Sequence, residues 1–326
     1  MSRIQGKTSS SQLTTSQVYV GIDVSKSHLD VYVHPTGTAR RVINDKNGLA
    51  SLVKFLRPHV PEMVVLEATG RYHRLCHRHL HDAGFNVAVM NPYRTRKFSD
   101  VLGQLAKTDE IDAKMLAQFG ATIQPEKTAP PTPAIAALNE LLTARRQVGA
   151  EKTALQNQLH DVTRSLVKQQ IRARLKMCER HQAALEREIR AAISEHEELK
   201  CRFDILTSIP GVALITAATL LAELDELGAA NSSQIAALVG VAPMNCDSGV
   251  WRGQRRIRGG RQNVRNALYM AALAASRACP DIALFYNRLR NNGKPFKVAI
   301  TAVMRKLAIL ANTLVTENRK WELNRT

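Results

Sequence analysis

The chain has 326 residues, of which 46 are lysine or arginine and 28 are acidic, so its formal net charge is +18. This excess of positive charge favours a polyanionic partner, first of all nucleic acid, and the length allows two or three domains. No apolar run approaches the roughly 20 residues that cross a bilayer, and residues 1–17 lack the apolar core of a signal peptide. We therefore expect a cytoplasmic protein with a disordered leader over 1–17 and no membrane partner.

The cysteines are scattered and never form a CxxC pair: Cys76, Cys178, Cys201, Cys246 and Cys279. An odd number without paired spacing fits neither a disulfide framework nor a zinc ribbon. We expect these cysteines to be reduced and structural.

Short β-rich runs begin at Val18. The runs VYVGIDV and LDVYVH predict a β-hairpin, and the turn residues Pro35-Thr36-Gly37 close the second run. The pattern then predicts a helix, an apolar strand, an amphipathic helix and a further strand, over 47–56, 63–70, 72–83 and 86–92. Strands that alternate with helices indicate an α/β domain over 18–124.

A segment with four prolines, PEKTAPPTPA at 125–134, predicts a linker, because proline cannot continue a helix. Over 135–200, apolar residues recur every seven positions: Leu141, Val148, Leu155 and Val162, with Leu159 and Leu166 at the alternate positions. This spacing predicts a long helical hairpin or coiled coil, which is a natural contact for oligomerisation.

The last third, over 201–326, has the pattern of a mostly helical domain interrupted by an arginine-rich segment. It predicts two helical stretches joined at Pro210-Gly211 and an apolar helix over 298–315. The Pro-Gly turn resembles a helix-hairpin-helix, in which backbone amides bind DNA phosphates. The alternative is that the apolar residues around the turn belong to the core: Ile209, Val212, Leu214, Leu220 and Leu221.

Four carboxylates stand out by position. Asp23 lies in an apolar strand, where a charge is costly unless compensated, and Glu67 ends a strand, where open α/β sheets bind ligands. Asp109 and Asp112 share one helix face, and the four together offer the oxygen donors that Mg²⁺ prefers. Taken singly, each has a structural alternative: Asp109 with Asp112 as a capping box, Asp23 as a turn residue, and Glu67 as the partner of Arg71. An acid in the first strand, another on a later strand and a final acidic helix face is the layout of the RNase H-like nuclease fold.

Residues 245–260, NCDSGVWRGQRRIRGG, place Ser248 in a small polar turn directly before a run of arginines. This stretch and the residues after it contain six arginines, interleaved with glycines that let backbone approach a phosphate: Arg252, Arg255, Arg256, Arg258, Arg261 and Arg265. One interpretation is that they hold the phosphate that the Ser248 hydroxyl attacks. The other, which the residues alone favour, is a surface turn beside a loop that binds nucleic acid.

Four histidines lie on one predicted helix: His73, His77, His79 and His81. Pairs at i and i+4 have zinc-ligand spacing, but no third ligand is evident. We expect surface residues or phosphate contacts.

Six motifs occur in order along the chain: VGIDVSKSHLDVYV, LEATGRY, NPYRTRKFS, KTDEIDAKMLA, IPGVALITAATLLAEL and LVGVAPMNCDSGVWRGQRRIRGGRQNVRNALYMAA. In this order they resemble the DEDD transposases of bacterial insertion sequences, specifically the insertion sequence one-hundred-ten family. The resemblance covers nearly everything from Val18 to about Leu314.

That resemblance implies a RuvC-like RNase H fold whose D-E-D-D residues are Asp23, Glu67, Asp109 and Asp112, and a C-terminal transposase domain whose nucleophile is Ser248. It implies magnesium-assisted cleavage and rejoining of donor and target DNA through a covalent 5′-phosphoserine, guided by a bridge RNA. It also implies a site formed between two protomers, with dimers assembling to a tetramer that associates with the nucleoid when active.

Two other functions fit the same residues. In a hydrolytic nuclease or junction resolvase, water attacks and only the four acids matter. In a non-catalytic nucleic-acid-binding protein, the N-terminal fold is degenerate and the basic domain only binds.

Overall fold

The computed structural model describes residues 17–103, 108–245, 247–249 and 251–322. Contacts divide the chain into two compact units, Met1–Pro130 and Pro131–Thr326, and the division falls inside the proline-rich segment. The predicted leader, apart from Gln17, lies outside the described residues, as does Cys246. The other four cysteines are free thiols, and Cys76, Cys178 and Cys279 are buried.

The first unit alternates strands and helices. Its elements are β1 (Tyr19–Val24), β2 (His28–His34), β3 (Thr38–Ile43), α1 (Lys46–Leu56), a 3₁₀ turn (Arg57–His59), β4 (Met63–Glu67), α2 (His73–Asp82), β5 (Val87–Met90), α3 (Pro92–Val101) and α4 (Asp109–Ile123). The strands form one sheet in the order β3-β2-β1-β4-β5, antiparallel through the first three and parallel from β1 to β5. This mixed sheet agrees with an RNase H-like domain, and the predicted β1–β2 hairpin is confirmed.

The turn residues Pro35-Thr36-Gly37 follow the end of β2, as predicted, and they connect it to a third strand. Strand β3 was not predicted from the sequence. Of its six residues only Val42 is buried, because β3 lies at the sheet edge and carries mostly polar side chains. A strand without an apolar alternation gives no period-two signal.

Helices cover both faces of the sheet. On one face, Leu49 and Leu52 of α1 and Leu80 of α2 pack with Ile22 of β1 in one buried cluster. On the other face, the core includes Val65 of β4 together with three residues of α4: Met115, Leu116 and Phe119. Because strand side chains alternate, every second residue of β1 faces α4, and Tyr19 and Gly21 belong to this set.

Gly21 allows α4 to lie directly against β1. A Cβ atom at this position would lie 2.0 Å from the carbonyl oxygen of Ala113 and 2.3 Å from the backbone nitrogen of Ala117. Both are backbone atoms of α4, so no side chain is available to move aside. The contact therefore fixes the distance between the strand and the helix.

We expect Gly21→Ala to destabilise the protein by about 2–3 kcal/mol, because the added methyl group must push α4 away from the sheet. Urea unfolding measures this change. Gly149→Ala is the matched control, since a Cβ there would meet only the flexible end of Gln182 at 3.4 Å within helix α5. This control should gain about 0.5–1 kcal/mol from helix propensity. Equal effects of the two substitutions would show that the contact is loose.

The second unit is helical apart from four two-residue strands. Its elements are α5 (Pro133–Asp161), α6 (Ser165–Ser194), α7 (Glu197–Ser208), α8 (Leu214–Glu223), α9 (Ser232–Val239), β6 (Pro243–Met244), β7 (Asp247–Ser248), β8 (Trp251–Arg252), β9 (Arg256–Ile257), α10 (Gln262–Ala278), α11 (Pro280–Asn291) and α12 (Phe296–Thr316). Helices α8, α10 and α12 contribute most of its buried apolar residues.

Helices α5 and α6 form a hairpin within the chain. Leu155 of α5 packs with Ile171 and Cys178 of α6, and Val148 and Leu159 lie partly buried against them. The heptad pattern does not continue through the turn, because α5 ends at Asp161 and Leu166 on α6 is 66% exposed. An oligomeric coiled coil here remains a prediction.

The turn at Pro210-Gly211 joins α7 to α8, as predicted. The five apolar residues around it are buried: Ile209, Val212, Leu214, Leu220 and Leu221. Gly211 has a φ of 83°, and a Cβ atom there would lie 2.4 Å from the carbonyl oxygen of Ala271 on α10. The core interpretation of the apolar residues is therefore confirmed, while contact of this turn with DNA remains a prediction.

Helix α12 is long and apolar enough to cross a membrane by length and composition, and the bent pair of α10 and α11 passes the same test when taken together. This corrects the expectation that no apolar run approaches spanning length. Half of the apolar 18-residue stretch of α12 is buried, and Val303, Leu307 and Leu314 lie in the core of the second unit. Such burial is typical of a core helix.

Candidate active site

The two strand carboxylates lie side by side at one edge of the sheet. Strands β1 and β4 are parallel, and their register pairs Ile22 with Leu66, so the next residues are Asp23 and Glu67. Both are two residues beyond a position that faces α4, namely Gly21 and Val65, so both point to the α4 side. The predicted strand positions of both acids are confirmed.

The two helix carboxylates occupy the first turn of α4. Asp109 is the first residue of the helix and Asp112 the fourth. The N-cap is Thr108, whose hydroxyl accepts a hydrogen bond from the Ile111 backbone N–H at 3.3 Å. The capping-box alternative for Asp109 and Asp112 is therefore wrong, because a threonine already fills the N-cap position.

The four acids are close enough to affect one another electrostatically. The pKa of Asp23 is raised from 3.8 to about 6, first by burial and then by the negative charges of Asp112, Asp109, Glu67 and Asp30. The ionised form of Asp23 is thus disfavoured by burial and by repulsion from the neighbouring carboxylates. Such a set is stabilised by any cation that binds it.

Asp30 is a fifth carboxylate that sequence reasoning missed. It lies directly opposite Asp23 in the β1–β2 ladder and is only 8% exposed. Arg41 of β3 binds it through two hydrogen bonds, of 2.7 and 3.0 Å, and donates a third to Asp109 at 3.2 Å. The signal was present, since Asp30 interrupts the apolar run LDVYV as Asp23 interrupts VGIDV.

Glu67 is held by Thr95 of α3. The wholly buried Thr95 hydroxyl donates a hydrogen bond of 2.6 Å to the Glu67 carboxylate. This contact fixes the side chain at the strand end. It also gives Glu67 a partner other than Arg71, which the sequence had offered as the structural alternative. Thr95 lies in the motif NPYRTRKFS, so the motif supports the acid site from a neighbouring helix.

As arranged here, no three histidine, cysteine, aspartate or glutamate side chains among the described residues converge closely enough to hold a metal ion. Arg41 engages Asp109 from the solvent side, where that carboxylate is 61% exposed. The donor set itself suits Mg²⁺, because it consists of carboxylate oxygens around the half-buried Asp23, whose charge is disfavoured by burial and by its neighbours.

The histidines of α2 do not form a metal site either. His77 is 4% exposed and its Nε2 lies 2.7 Å from the carbonyl oxygen of Thr128. Burial lowers the pKa of His77, which favours the neutral ring. His77 is therefore a core residue of the first unit, which corrects the expectation of a surface or phosphate-binding role.

Ser248 lies in a thin antiparallel projection of the second unit, which we call the serine arm (243–257). Strand β6 pairs with β9 at its base, and β7 pairs with β8 toward its tip. Ser248 is opposite Trp251, and both are exposed. None of the described residues hydrogen-bonds to the Ser248 hydroxyl, so this hydroxyl holds none of them in place.

The six arginines differ in their surroundings. Arg261 forms a bidentate ion pair with Glu226, at 2.5 and 2.8 Å. Arg265 donates to the Gly259 carbonyl and to the Gln262 side chain. These two help to fold the segment, whereas the exposed members on the arm itself offer their charge to solvent: Arg252, Arg255 and Arg256.

The acids thus lie in the first unit and the serine in the second. Residues 20–168 match a family model described as Transposase (DEDD_Tnp_IS110), and residues 203–287 match one described as Transposase IS116/IS110/IS902 family. Together the two models cover more than two thirds of the chain. The chain belongs to the IS110 family of transposases. The resemblance expected from the motifs is confirmed.

Similar proteins agree with this assignment. The chain is 29% identical to the pilin gene-inverting protein of Moraxella lacunata, over 94% of this chain and 98% of that protein. It is 32% identical to an uncharacterized 43.6 kDa protein of insertion element IS110 from Streptomyces coelicolor, over 38% of this chain and 30% of that protein. As a member of this transposase family, the chain is a DNA-processing enzyme with DNA as its substrate.

Proposed function

We propose that this IS110-family transposase cuts and rejoins DNA with Ser248 as the nucleophile. The observation that carries the proposal is the exposed Ser248 hydroxyl, free of structural hydrogen bonds among the described residues, on an arm that also carries the exposed Arg252, Arg255 and Arg256. Arginines on the same arm can hold the phosphodiester that the hydroxyl attacks, because the fork of N–H donors matches phosphate oxygens.

The proposed reaction has two balanced steps. Ser248 Oγ attacks the scissile phosphorus, the P–O3′ bond breaks, and the leaving 3′ oxygen takes up a proton while the serine proton passes to a base of the acid cluster. A 3′ hydroxyl of another strand then attacks the phosphoserine, a new P–O3′ bond forms and the P–Oγ bond to Ser248 breaks. The proton of the attacking hydroxyl passes to the base, and Ser248 Oγ takes back the proton that it gave up in the first step. The phosphodiester energy is kept, so rejoining needs no ATP.

Rejoining is favoured over simple hydrolysis by the Moraxella relative. By its printed name that protein inverts a gene, and inversion of a DNA segment requires strands to be rejoined as well as cut. A hydrolytic nuclease leaves ends that nothing reseals.

The carboxylates Asp23, Glu67, Asp109 and Asp112 would hold Mg²⁺, with Thr95 orienting Glu67. When bound, this ion supplies charge neutralisation and Lewis acidity at the scissile phosphate. The fit rests on the charge of the half-buried Asp23, which forms no ion pair with a cationic side chain among the described residues. Arg41 neutralises Asp30 and reaches Asp109.

We further propose that the acids of one protomer act with the serine of another, in dimers that assemble to a tetramer, and that a bridge RNA selects donor and target DNA. These parts rest on the resemblance to the family. The net charge of +18 supports binding of nucleic acid in general.

The test is a search for the covalent intermediate. The protein is expressed with its element and denatured, linked DNA is digested, and peptides are analysed by mass spectrometry. Cleavage before Asp247 and after Arg252 releases DSGVWR, in which Ser248 carries the only hydroxyl group. We expect a nucleotide phosphate on this peptide. Cut DNA with free 5′ phosphates and an unmodified peptide would instead identify water as the nucleophile.

A further inference from the structure

A cleft of about 690 Å³ opens in the second unit at the base of the serine arm. One wall is formed by Pro243 and Ile257 of the arm, and the others by the N-terminal halves of α10 and α12. Its volume lies within the range of small-ligand sites and exceeds what a single base requires.

Part of the cleft surface is apolar and open to solvent. Ile257 is 39% exposed, Tyr269 of α10 is 36% exposed and Val298 of α12 is 53% exposed. Exposed apolar side chains that cluster in a concave site are typical of ligand-binding surfaces. A surface that bound only phosphates would need no such side chains, because phosphate contacts are made by cations and N–H donors.

The remainder of the cleft is strongly basic. None of its described lining residues is acidic. Five cationic side chains line it: Arg255, Arg256, Arg265, Lys297 and Arg305. The occupant is therefore an anion. An apolar protein segment would leave these charges desolvated and without partners.

We propose that this cleft binds an unpaired nucleotide of a nucleic-acid strand. Its base stacks on Tyr269 between Ile257 and Val298, and the flanking phosphates contact Arg255, Arg256 and Lys297. A base-paired duplex is excluded as the occupant, because its bases are already stacked and present no free ring face. The cleft thus holds one unstacked nucleotide of the strand that continues toward Ser248.

This inference rests on the proposed function for the identity of the substrate, but its test does not require catalysis. Binding is measured with the full chain carrying Ser248→Ala. If no phosphoserine is found, the cleft can still bind a nucleotide. If the cleft does not bind one, Ser248 can still be the nucleophile.

The experiment is a fluorescence titration with oligonucleotides of about 12 nucleotides, a length typical of single-strand sites. Each oligonucleotide carries one 2-aminopurine. Three forms are compared: single-stranded DNA, single-stranded RNA and the matching DNA duplex. We expect tighter binding of a single strand than of the duplex, with a fluorescence change on binding. Whichever single strand binds more tightly identifies the source of the nucleotide.

Substitutions locate the base. Tyr269→Ala should weaken single-strand binding roughly tenfold without changing its salt dependence, while Tyr269→Phe keeps the ring and the affinity. Val298→Asp should reproduce the loss from the opposite wall. Arg256→Gln should instead reduce the slope of log K against log salt by about 0.7. Met270→Ala is the control, because Met270 neighbours Tyr269, is 62% exposed and does not line the cleft.

Wild-type affinity in both Tyr269→Ala and Val298→Asp would overturn the proposal. So would equal losses of single-strand and duplex binding in these variants, because that result would show contacts with phosphates alone.

Discussion

Ser248→Ala is expected to abolish strand exchange while leaving nucleic-acid binding and folding intact. The substitution removes the only hydroxyl of the serine arm tip that the structure leaves exposed and without a hydrogen-bond partner among the described residues. Because the hydroxyl supports no other group, the free energy of unfolding should change by less than about 0.5 kcal/mol. Recombination between donor and target plasmids measures exchange, and gel shift measures binding.

The matched control is Ser232→Ala at the start of α9, another exposed serine of the same unit. This variant should recombine DNA like the unaltered protein. Cleavage that persists at the original rate in Ser248→Ala would show that water attacks the phosphate, and the chain would then be a nuclease.

Asp23→Asn is expected to reduce cleavage by roughly a thousandfold or more, because it removes a half-buried carboxylate from the acid cluster. The same substitution should stabilise the folded protein at pH 7. In the fold, burial and four neighbouring carboxylates raise the pKa of Asp23 to about 6. At pH 7 Asp23 is mostly ionised in both states, and the ionised form is less stable in the folded protein than in the unfolded chain. After allowance for its partial exposure to solvent, the gain should be about 1 kcal/mol.

The pH dependence gives the sign of this effect. Because the folded-state pKa lies above the unfolded value of 3.8, protonated Asp23 favours folding in acid, and that advantage is lost as the pH rises through about 6. The difference in melting temperature between Asp23→Asn and the unaltered protein should therefore be largest above pH 6 and vanish below about pH 4.

Magnesium should raise the melting temperature of the unaltered protein more than that of Asp23→Asn, since a bound cation stabilises the folded state by mass action. Asp82→Asn is the control, because Asp82 lies on α2 with a carboxylate 68% exposed and does not act on Asp23. If Asp23→Asn were less stable at pH 7, or no more stable than Asp82→Asn, the picture of a self-repelling acid cluster would be wrong.

Much of the first unit could be predicted because its strands are short apolar runs bounded by turn residues. The strand positions of Asp23 and Glu67 follow from where those runs begin and end, and the place of Asp109 and Asp112 on one helix follows from helical periodicity. Sequence spacing does not show which strands pair with one another or in what register. The pairing of Asp23 with Asp30 depends on the register of β1 and β2, and Arg41 lies on an edge strand without a pattern.

The arginine-rich segment shows the same limit. Six arginines in fourteen positions look equivalent in the sequence, yet Arg261 is committed to Glu226, which lies 35 residues away. The cleft was also invisible, because Tyr269 and Val298 belong to different helices and each fits an ordinary helical pattern. Long-range contacts decide these roles, and one sequence carries no direct record of them.

The contact at Gly21 has a consequence for how such an enzyme is kept inactive. Backbone lies against backbone where β1 meets α4, so the backbone positions of Asp23 on β1 and of Asp109 and Asp112 on α4 are held relative to one another. In this part of the first unit, side-chain rotation is the movement left to bring these carboxylates around a cation. The serine lies on a ribbon with only two short ladders, and isolated two-stranded ribbons are marginally stable in water. On the proposed mechanism, the step that restrains stray cutting is therefore the delivery of the Ser248 hydroxyl to the phosphate by this ribbon.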